Sequence, residues 1–188
     1  MRSDVERWEK KYQETNAVVS LKPDPLLVEY RGLLENEGLA LDLAAGACHA
    51  SVHLAKLHNQ VIAVDCSLTA LQLGQELAGQ HNVRLHALVA DLSDWPIPHS
   101  VFDIVTCFRY LNREMFPQMR DALKPGGLLI YKTFNEHYLH KAPHFNPNYL
   151  LSAGELTQHF PCLEMIVCSD GEDSSEAYSF AIARKLRK

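Results

Sequence analysis

No apolar run among the 188 residues approaches the roughly 20 needed to span a bilayer, which excludes a helical membrane anchor within this stretch. Positive charge is not in excess. Lys plus Arg number 18 against 23 Asp plus Glu, a net −5, which is the wrong balance for a binder of phosphate backbones. The five cysteines form no Cys-x-x-Cys pair, and an odd, scattered set reads as free thiols in a reducing cytosol. No internal repeat and no low-complexity segment is found. The opening Met1-Arg-Ser-Asp-Val-Glu-Arg7 is charged and leads into no apolar signal core. What remains is an ordinary globular composition, 47% hydrophobic and 22% charged. A chain this long corresponds to about one domain and buries roughly 70% of its unfolded surface, so it needs no disulfide or metal staple. The expectation is a single cytoplasmic domain.

The organisation is a regular alternation. Residues 1–38 read as polar and helix-rich, broken by Pro23 and Pro25. Strand candidates follow at 39–43, 61–64 and 83–89, the last alternating apolar with Arg84 and His86 as a half-exposed edge strand does. Phe102–Phe108 and Leu128–Phe134 are the fourth and fifth. Ser67 caps a helix on which Ala70, Leu73 and Leu77 recur with helical spacing. Phe116, Met119 and Leu123 mark another helix, stopped by Lys124-Pro-Gly-Gly127. Glu136–Tyr149, rich in His, Pro and Asn, predicts neither helix nor strand. Strands at 163–168 and 178–184 complete seven. Alternating strands and helices argue for a parallel sheet with helices on both faces. The segment between strands six and seven is too short for a parallel crossover of a dozen or more residues. Strand seven therefore runs antiparallel.

Open α/β sheets bind ligands beyond the carboxyl ends of their strands. The first strand ends in Asp42-Leu-Ala-Ala-Gly46-Ala-Cys48, a tight turn of small residues that lets a ligand approach backbone. The second ends at Asp65, a carboxylate placed to accept from a ribose diol. The third delivers Asp91, able to accept from an exocyclic adenine amine. The fourth ends in Cys107-Phe-Arg-Tyr110, with Arg109 and Tyr110 as large side chains at the same rim.

These motifs, Leu41-Asp-Leu-Ala-Ala-Gly46, Val61-Ile-Ala-Val-Asp65, Ala90-Asp-Leu92, Phe102-Asp-Ile-Val105 and Leu123-Lys-Pro-Gly-Gly-Leu-Leu-Ile130, resemble the class I S-adenosylmethionine-dependent methyltransferases in order and spacing. Trp8-Glu-Lys-Lys-Tyr12 and Pro25-Leu-Leu27 are similar to small bacterial members related to tellurite-resistance and thiopurine methyltransferases. The resemblance implies a Rossmann-like three-layer α/β sandwich with a seven-stranded, mostly parallel sheet and an antiparallel last strand. It divides the single domain into an N-terminal helical segment over the site (1–38), a cofactor-binding core (39–134) and a loop, helix and final two strands (135–188). It implies S-adenosylmethionine as cofactor and assigns cofactor binding to Asp42, Ala44, Gly46, Asp65, Cys66, Asp91, Leu92 and Cys107. Ala44 and Gly46 would face the methionine part through backbone, Asp65 the ribose, Cys66 and Leu92 the adenine ring, Asp91 its amine, and the Cys107 carbonyl the sulfonium end.

Cys48 stands where the family usually has glycine. Either its thiol is buried and fills space, or it faces the cofactor, with its pKa lowered by the helix N-terminus.

Methyl transfer from a sulfonium is an in-line displacement that alignment and desolvation accelerate. Only an acceptor that must lose a proton needs a base. Arg109, Tyr110 and the loop histidines are the candidates. His49 and His53 share the spacing of a zinc-protease helix, but Ala50 replaces the required glutamate. His137, His140 and His144 read as loop or surface histidines rather than a ligand triad, so no metal is expected. Asp170-Gly-Glu-Asp173 reads as a solvated hairpin loop, and Cys162 and Cys168 as buried thiols. The functional expectation is methylation of a small-molecule acceptor, with nucleic acid and membrane disfavoured and the oligomeric state open. Two alternatives stand beside it. One is a relative that binds the cofactor without turnover. The other is a nicotinamide-dependent oxidoreductase, which would want Gly-x-Gly-x-x-Gly where this turn has only Gly46.

Overall fold

The computed structural model describes residues 2–14, 20–35 and 37–187, which fall into two compact units, Met1–Pro96 and Ile97–Lys188. In the first, helix α1 (Arg2–Gln13) precedes a short α2 (Pro25–Glu29). Asp24 caps α2 by accepting from the Leu26 N–H, with Pro25 in the first turn, where no N–H is needed. Strand β1 (Leu39–Leu43) leads into α3 (His49–Lys56), β2 (Gln60–Asp65) into α4 (Leu68–Gln80), and β3 (His86–Val89) follows. β2 pairs in parallel with both β1 and β3, Leu43 lying opposite Val64 and Asp65 opposite Val89. Ser67 caps α4 as its position predicts, accepting from the Ala70 N–H at 3.0 Å. β3 is shorter than the 83–89 run, and all four of its residues are exposed. Leu85 is the buried member, lying just before the strand.

In the second unit, β4 (Phe102–Phe108) pairs in parallel with β5 (Leu123–Phe134), and α5 (Met115–Ala122) connects them. β5 begins earlier than the sequence predicts. Its register slips between Phe102 and Ile104, so the Lys124–Gly127 stop signal forms an irregular entry into the strand. After β5 the 136–149 stretch is not featureless, because 3₁₀ turns form at Glu136–His140 and Pro147–Tyr149. The turns start where Asn135 and Asn146 each accept a backbone N–H two residues on. Helix α6 (Glu155–His159) and strands β6 (Leu163–Ser169) and β7 (Tyr178–Lys185) complete the unit. β7 runs antiparallel to both β5 and β6, as the length of the preceding segment requires.

The 170–173 run is a solvated loop only in part, with Glu172 and Asp173 exposed but Asp170 and Gly171 buried. Asp170 is 1% exposed, and its carboxylate accepts from the N–H groups of Leu156 and Thr157 and from the Thr157 hydroxyl. It caps α6 from a distance in sequence. Nor are both flanking thiols buried, since Cys162 is exposed and Cys168 half-buried.

Candidate functional site

The turn after β1 has an alternating backbone. Ala44 (φ 52°), Gly46 (φ 54°) and Cys48 (φ 59°) all sit in the left-handed region, which costs a residue with a Cβ about 1–2 kcal/mol. Three left-handed residues at every second position bring the turn's peptide groups to the end of the strand. Asp65, at the end of β2 and 7% exposed, holds this backbone in place. One of its oxygens accepts the Gly46 N–H at 2.8 Å and the other the Ser67 N–H at 2.9 Å. A carboxylate has about four acceptor sites, so each oxygen retains capacity for a ligand hydroxyl. Asp42, 2% exposed, takes the Ser51 hydroxyl from α3 at 2.5 Å and so fixes the start of that helix against the strand.

Cys48 is fully buried, and its thiol donates to the Gly46 carbonyl at 3.6 Å. On α4, a Cβ added to Gly74 would collide with the Cys48 sulfur and lie 2.6 Å from its Cβ. The sulfur thus fills a gap between α3 and α4 that a glycine leaves open. Burial, with Asp42 adding to it, pushes the thiol above its ordinary value, the reverse of an activated nucleophile. Of the two readings of Cys48, the space-filling one is observed.

Cys66 is half-buried beside Asp65, and burial together with that carboxylate raises its thiol to about 11. Asp91 follows β3, and one of its oxygens takes both the N–H and the hydroxyl of Ser93. Those bonds, the hydroxyl's above all, hold its carboxyl below the usual range. Leu92 is buried beside it.

Sequence reasoning did not assign the residues that α1 contributes. Glu9 accepts from the Ser67 hydroxyl at 2.7 Å, the Thr69 hydroxyl at 2.5 Å and the Thr69 N–H at 3.3 Å. One turn on, the Tyr12 hydroxyl occupies the space that a side chain on Gly46 would need. Glu9 and Tyr12 share a helix face by their i, i+3 spacing, which was legible in the sequence. That this face docks on the turn and on the start of α4 was not.

In the second unit, Cys107 is buried near the end of β4, its thiol directed at the Tyr110 carbonyl 4.0 Å away. The buried Tyr131 hydroxyl donates to the same carbonyl at 2.7 Å. Arg109 is exposed and left-handed (φ 56°), and its N–H bonds to the Lys132 carbonyl at 2.8 Å. Arg113 fastens the 136–149 stretch, donating to the carbonyls of Asn148 and Leu150 and to the Glu155 carboxylate. His137 bonds by its Nε2 to the Gly171 carbonyl at 3.1 Å. Among the described residues no three His, Cys, Asp or Glu side chains are grouped as metal ligands.

Residues 40–127, the stretch containing the turn, Asp65 and Asp91, match the family described as methyltransferase domain. That stretch, a little under half of the chain, is similar in sequence to methyltransferase domains. A protein of Clavibacter sepedonicus named demethylmenaquinone methyltransferase is 32% identical over 133 residues, covering 66% of this chain and 54% of its own length. The chain thus spans about half of that relative. Among solved structures, TehB from Haemophilus influenzae has a TM-score of 0.71 at 16% identity, covering 95% of this chain and 65% of its own. A SAM-dependent methyltransferase from Aquifex aeolicus has a TM-score of 0.65 at 15% identity, covering 99% of both chains. At these identities the likeness is one of fold, and the fold is the expected one. It is Rossmann-like α/β, seven-stranded and mostly parallel, with an antiparallel last strand.

Proposed function

We propose that this chain, as one methyltransferase domain over its whole length, transfers a methyl group from S-adenosylmethionine to a small-molecule acceptor. The observation that carries this is the left-handed turn 44–48 braced through the Gly46 N–H by Asp65. When bound, the cofactor supplies a methyl on a sulfonium: the S–CH3 bond breaks with its electron pair staying on sulfur, and an acceptor lone pair forms the new bond. The chain's part is to hold and exclude water. Ala44 and Gly46 present peptide groups to the methionine portion, and the second acceptor sites of Asp65 take the ribose hydroxyls. Cys66 and Leu92 flank the adenine, whose amine donates to Asp91. Cys107 offers its carbonyl toward the sulfonium. Asp42 belongs to the same set as the brace that fixes the start of α3. Residues 1–38 act over the cofactor through Glu9 and Tyr12.

Arg109 and Tyr110 at the end of β4 are the candidates for orienting an acceptor or guiding its proton to water. A nucleic-acid acceptor fits poorly with a net charge of −5. The Clavibacter relative, acting by its name on demethylmenaquinone, supports a small acceptor. We place the protein in the cytoplasm, consistent with its free thiols. Among the described residues no helix is long and apolar enough to cross a membrane.

The non-catalytic alternative has two grounds, Cys48 in place of glycine and the lack of an obvious base, and a sulfur directed into the α3–α4 packing removes the first. A nicotinamide enzyme finds one glycine in the turn where it wants three. Calorimetric titration separates the nicotinamide reading, since S-adenosylmethionine is expected to bind and NADH not, and methyl transfer across a panel of small acceptors separates the non-catalytic one. Tighter binding of NADH, or cofactor binding with no turnover across the panel, would reject the proposal.

A further inference from the structure

The register of β5 against β7 sets an aromatic face in the second unit. Phe134 lies opposite Tyr178, and Lys132 lies opposite Phe180. Directly opposed residues, and residues two apart along a strand, share one face of a sheet, so these four stand together. The other face of the same strands is closed. Tyr131, Thr133, Ser179 and Ala181 are all buried there, with Tyr131 packed against Phe116 at 5.2 Å and Phe160 at 6.4 Å between ring centroids.

The aromatic face is treated differently. Phe134, Tyr178 and Phe180 are only half-buried, and two more half-buried rings come to it from the 136–149 stretch. Tyr138 is tilted at 4.1 Å from the Phe134 centroid, Phe145 stands 5.6 Å from it, and Tyr178 stacks on it at 4.9 Å. The Lys132 ammonium sits 5.1 Å from the Tyr178 ring centroid. Aromatic rings gain most from complete burial. Here five are gathered yet left partly open at the carboxyl end of β5, the end where open α/β sheets take their ligands.

We infer that this face recognises the methyl acceptor, and that the acceptor is a planar aromatic molecule carrying an anionic oxygen. The rings accept a flat π-surface in offset or edge-on packing. The ammonium of Lys132 supplies the charge that a carboxylate or phenolate oxygen requires. Tyr138 enters this face from the 3₁₀ turn rather than from the sheet. This rests on the methyltransferase reading and adds the acceptor's class to it.

The test is calorimetric titration of the intact chain with 2-naphthoate, its neutral counterpart 2-naphthamide, and cyclohexanecarboxylate, which has the charge without the ring. 2-Naphthoate is expected to bind at least about tenfold more tightly than either control. Lys132→Met should remove its advantage over 2-naphthamide while leaving naphthamide binding within about twofold. Tyr138→Leu, in a segment outside the sheet, should weaken both aromatic ligands about fivefold or more. Equal binding of all three ligands, or unchanged 2-naphthoate affinity in both variants with folding intact by thermal melting, overturns the inference. S-adenosylmethionine is titrated separately. Cofactor binding without the naphthoate preference removes the acceptor assignment alone, and the preference without cofactor binding removes the methyltransferase reading alone.

Discussion

The sulfur of Cys48 occupies the space that the missing side chain of Gly74 leaves between α3 and α4. The two positions are coupled sterically, and a double-mutant cycle reads that coupling. Gly74→Ala alone forces a Cβ onto the sulfur, an overpacking cost of about 1–3 kcal/mol set against about 1 kcal/mol gained in helix propensity. In a Cys48→Gly background the same change meets no sulfur and should stabilise by up to about 1 kcal/mol. Urea denaturation of the four proteins gives the cycle. Identical effects of Gly74→Ala in both backgrounds would show the pair to be independent.

Ala44 is left-handed with a Cβ. Ala44→Gly relieves about 1–2 kcal/mol of strain and adds about 0.4–1 kcal/mol of unfolded-chain entropy. The net expectation is no loss, and a gain of up to about 1.6 kcal/mol, in the unfolding free energy from urea denaturation. A drop beyond about 1 kcal/mol would mean that the alanine methyl makes contacts worth more than the strain it carries.

Glu9 fastens α1 to the start of α4. Bonds from the Thr69 and Ser67 hydroxyls hold its carboxyl below the ordinary value. A depressed acid contributes its stabilisation above the unfolded carboxylate range, and loses it as pH falls through the lower folded value. Amide exchange in α1, measured from pH 6 downward, should therefore stay slow until the acid range and then accelerate selectively. Glu9→Gln should show faster α1 exchange at neutral pH. Equal protection of α1 in both proteins at all pH values would leave the clamp without a role.

Much of this was legible beforehand, and the physical reasons differ by residue. β2 carries the continuous apolar run Val61–Val64 ended by Asp65, and β1 and β4 are short, mostly apolar stretches ended by a turn, patterns that single-sequence reading handles well. Ser67 was readable as a cap from its own chemistry. The direction of β7 followed from chain length alone. What escaped depends on long-range packing. Asp170 resembles a solvated turn residue until α6 is seen to bring its free N–H groups to it. The role of Cys48 depends on an absence 26 residues away, at Gly74, which no local pattern carries. The docking of Glu9 and Tyr12 likewise depends on which face of α1 meets the turn.

Arg113 joins α5's approach to the 136–149 stretch and to Glu155, and hydrogen bonding to that carboxylate raises its pKa further. The Arg113 side chain is 42% exposed, so Arg113→Met should change global stability by less than about 1 kcal/mol. Amides of residues 147–151 should nonetheless exchange faster, by nuclear magnetic resonance or mass spectrometry. Unchanged exchange there would assign the ordering of this stretch to its aromatic contacts instead.

The central claim is that Asp65 joins the turn's backbone to the cofactor. The decisive measurement is isothermal titration of S-adenosylmethionine into the wild type and into Asp65→Ala, with folding checked by circular dichroism. Each charge-assisted hydrogen bond that the carboxylate accepts from a ribose hydroxyl would contribute about 1.5–3 kcal/mol, so the variant should bind at least about tenfold more weakly while retaining its secondary structure. A folded Asp65→Ala protein that binds S-adenosylmethionine as tightly as the wild type would contradict the account.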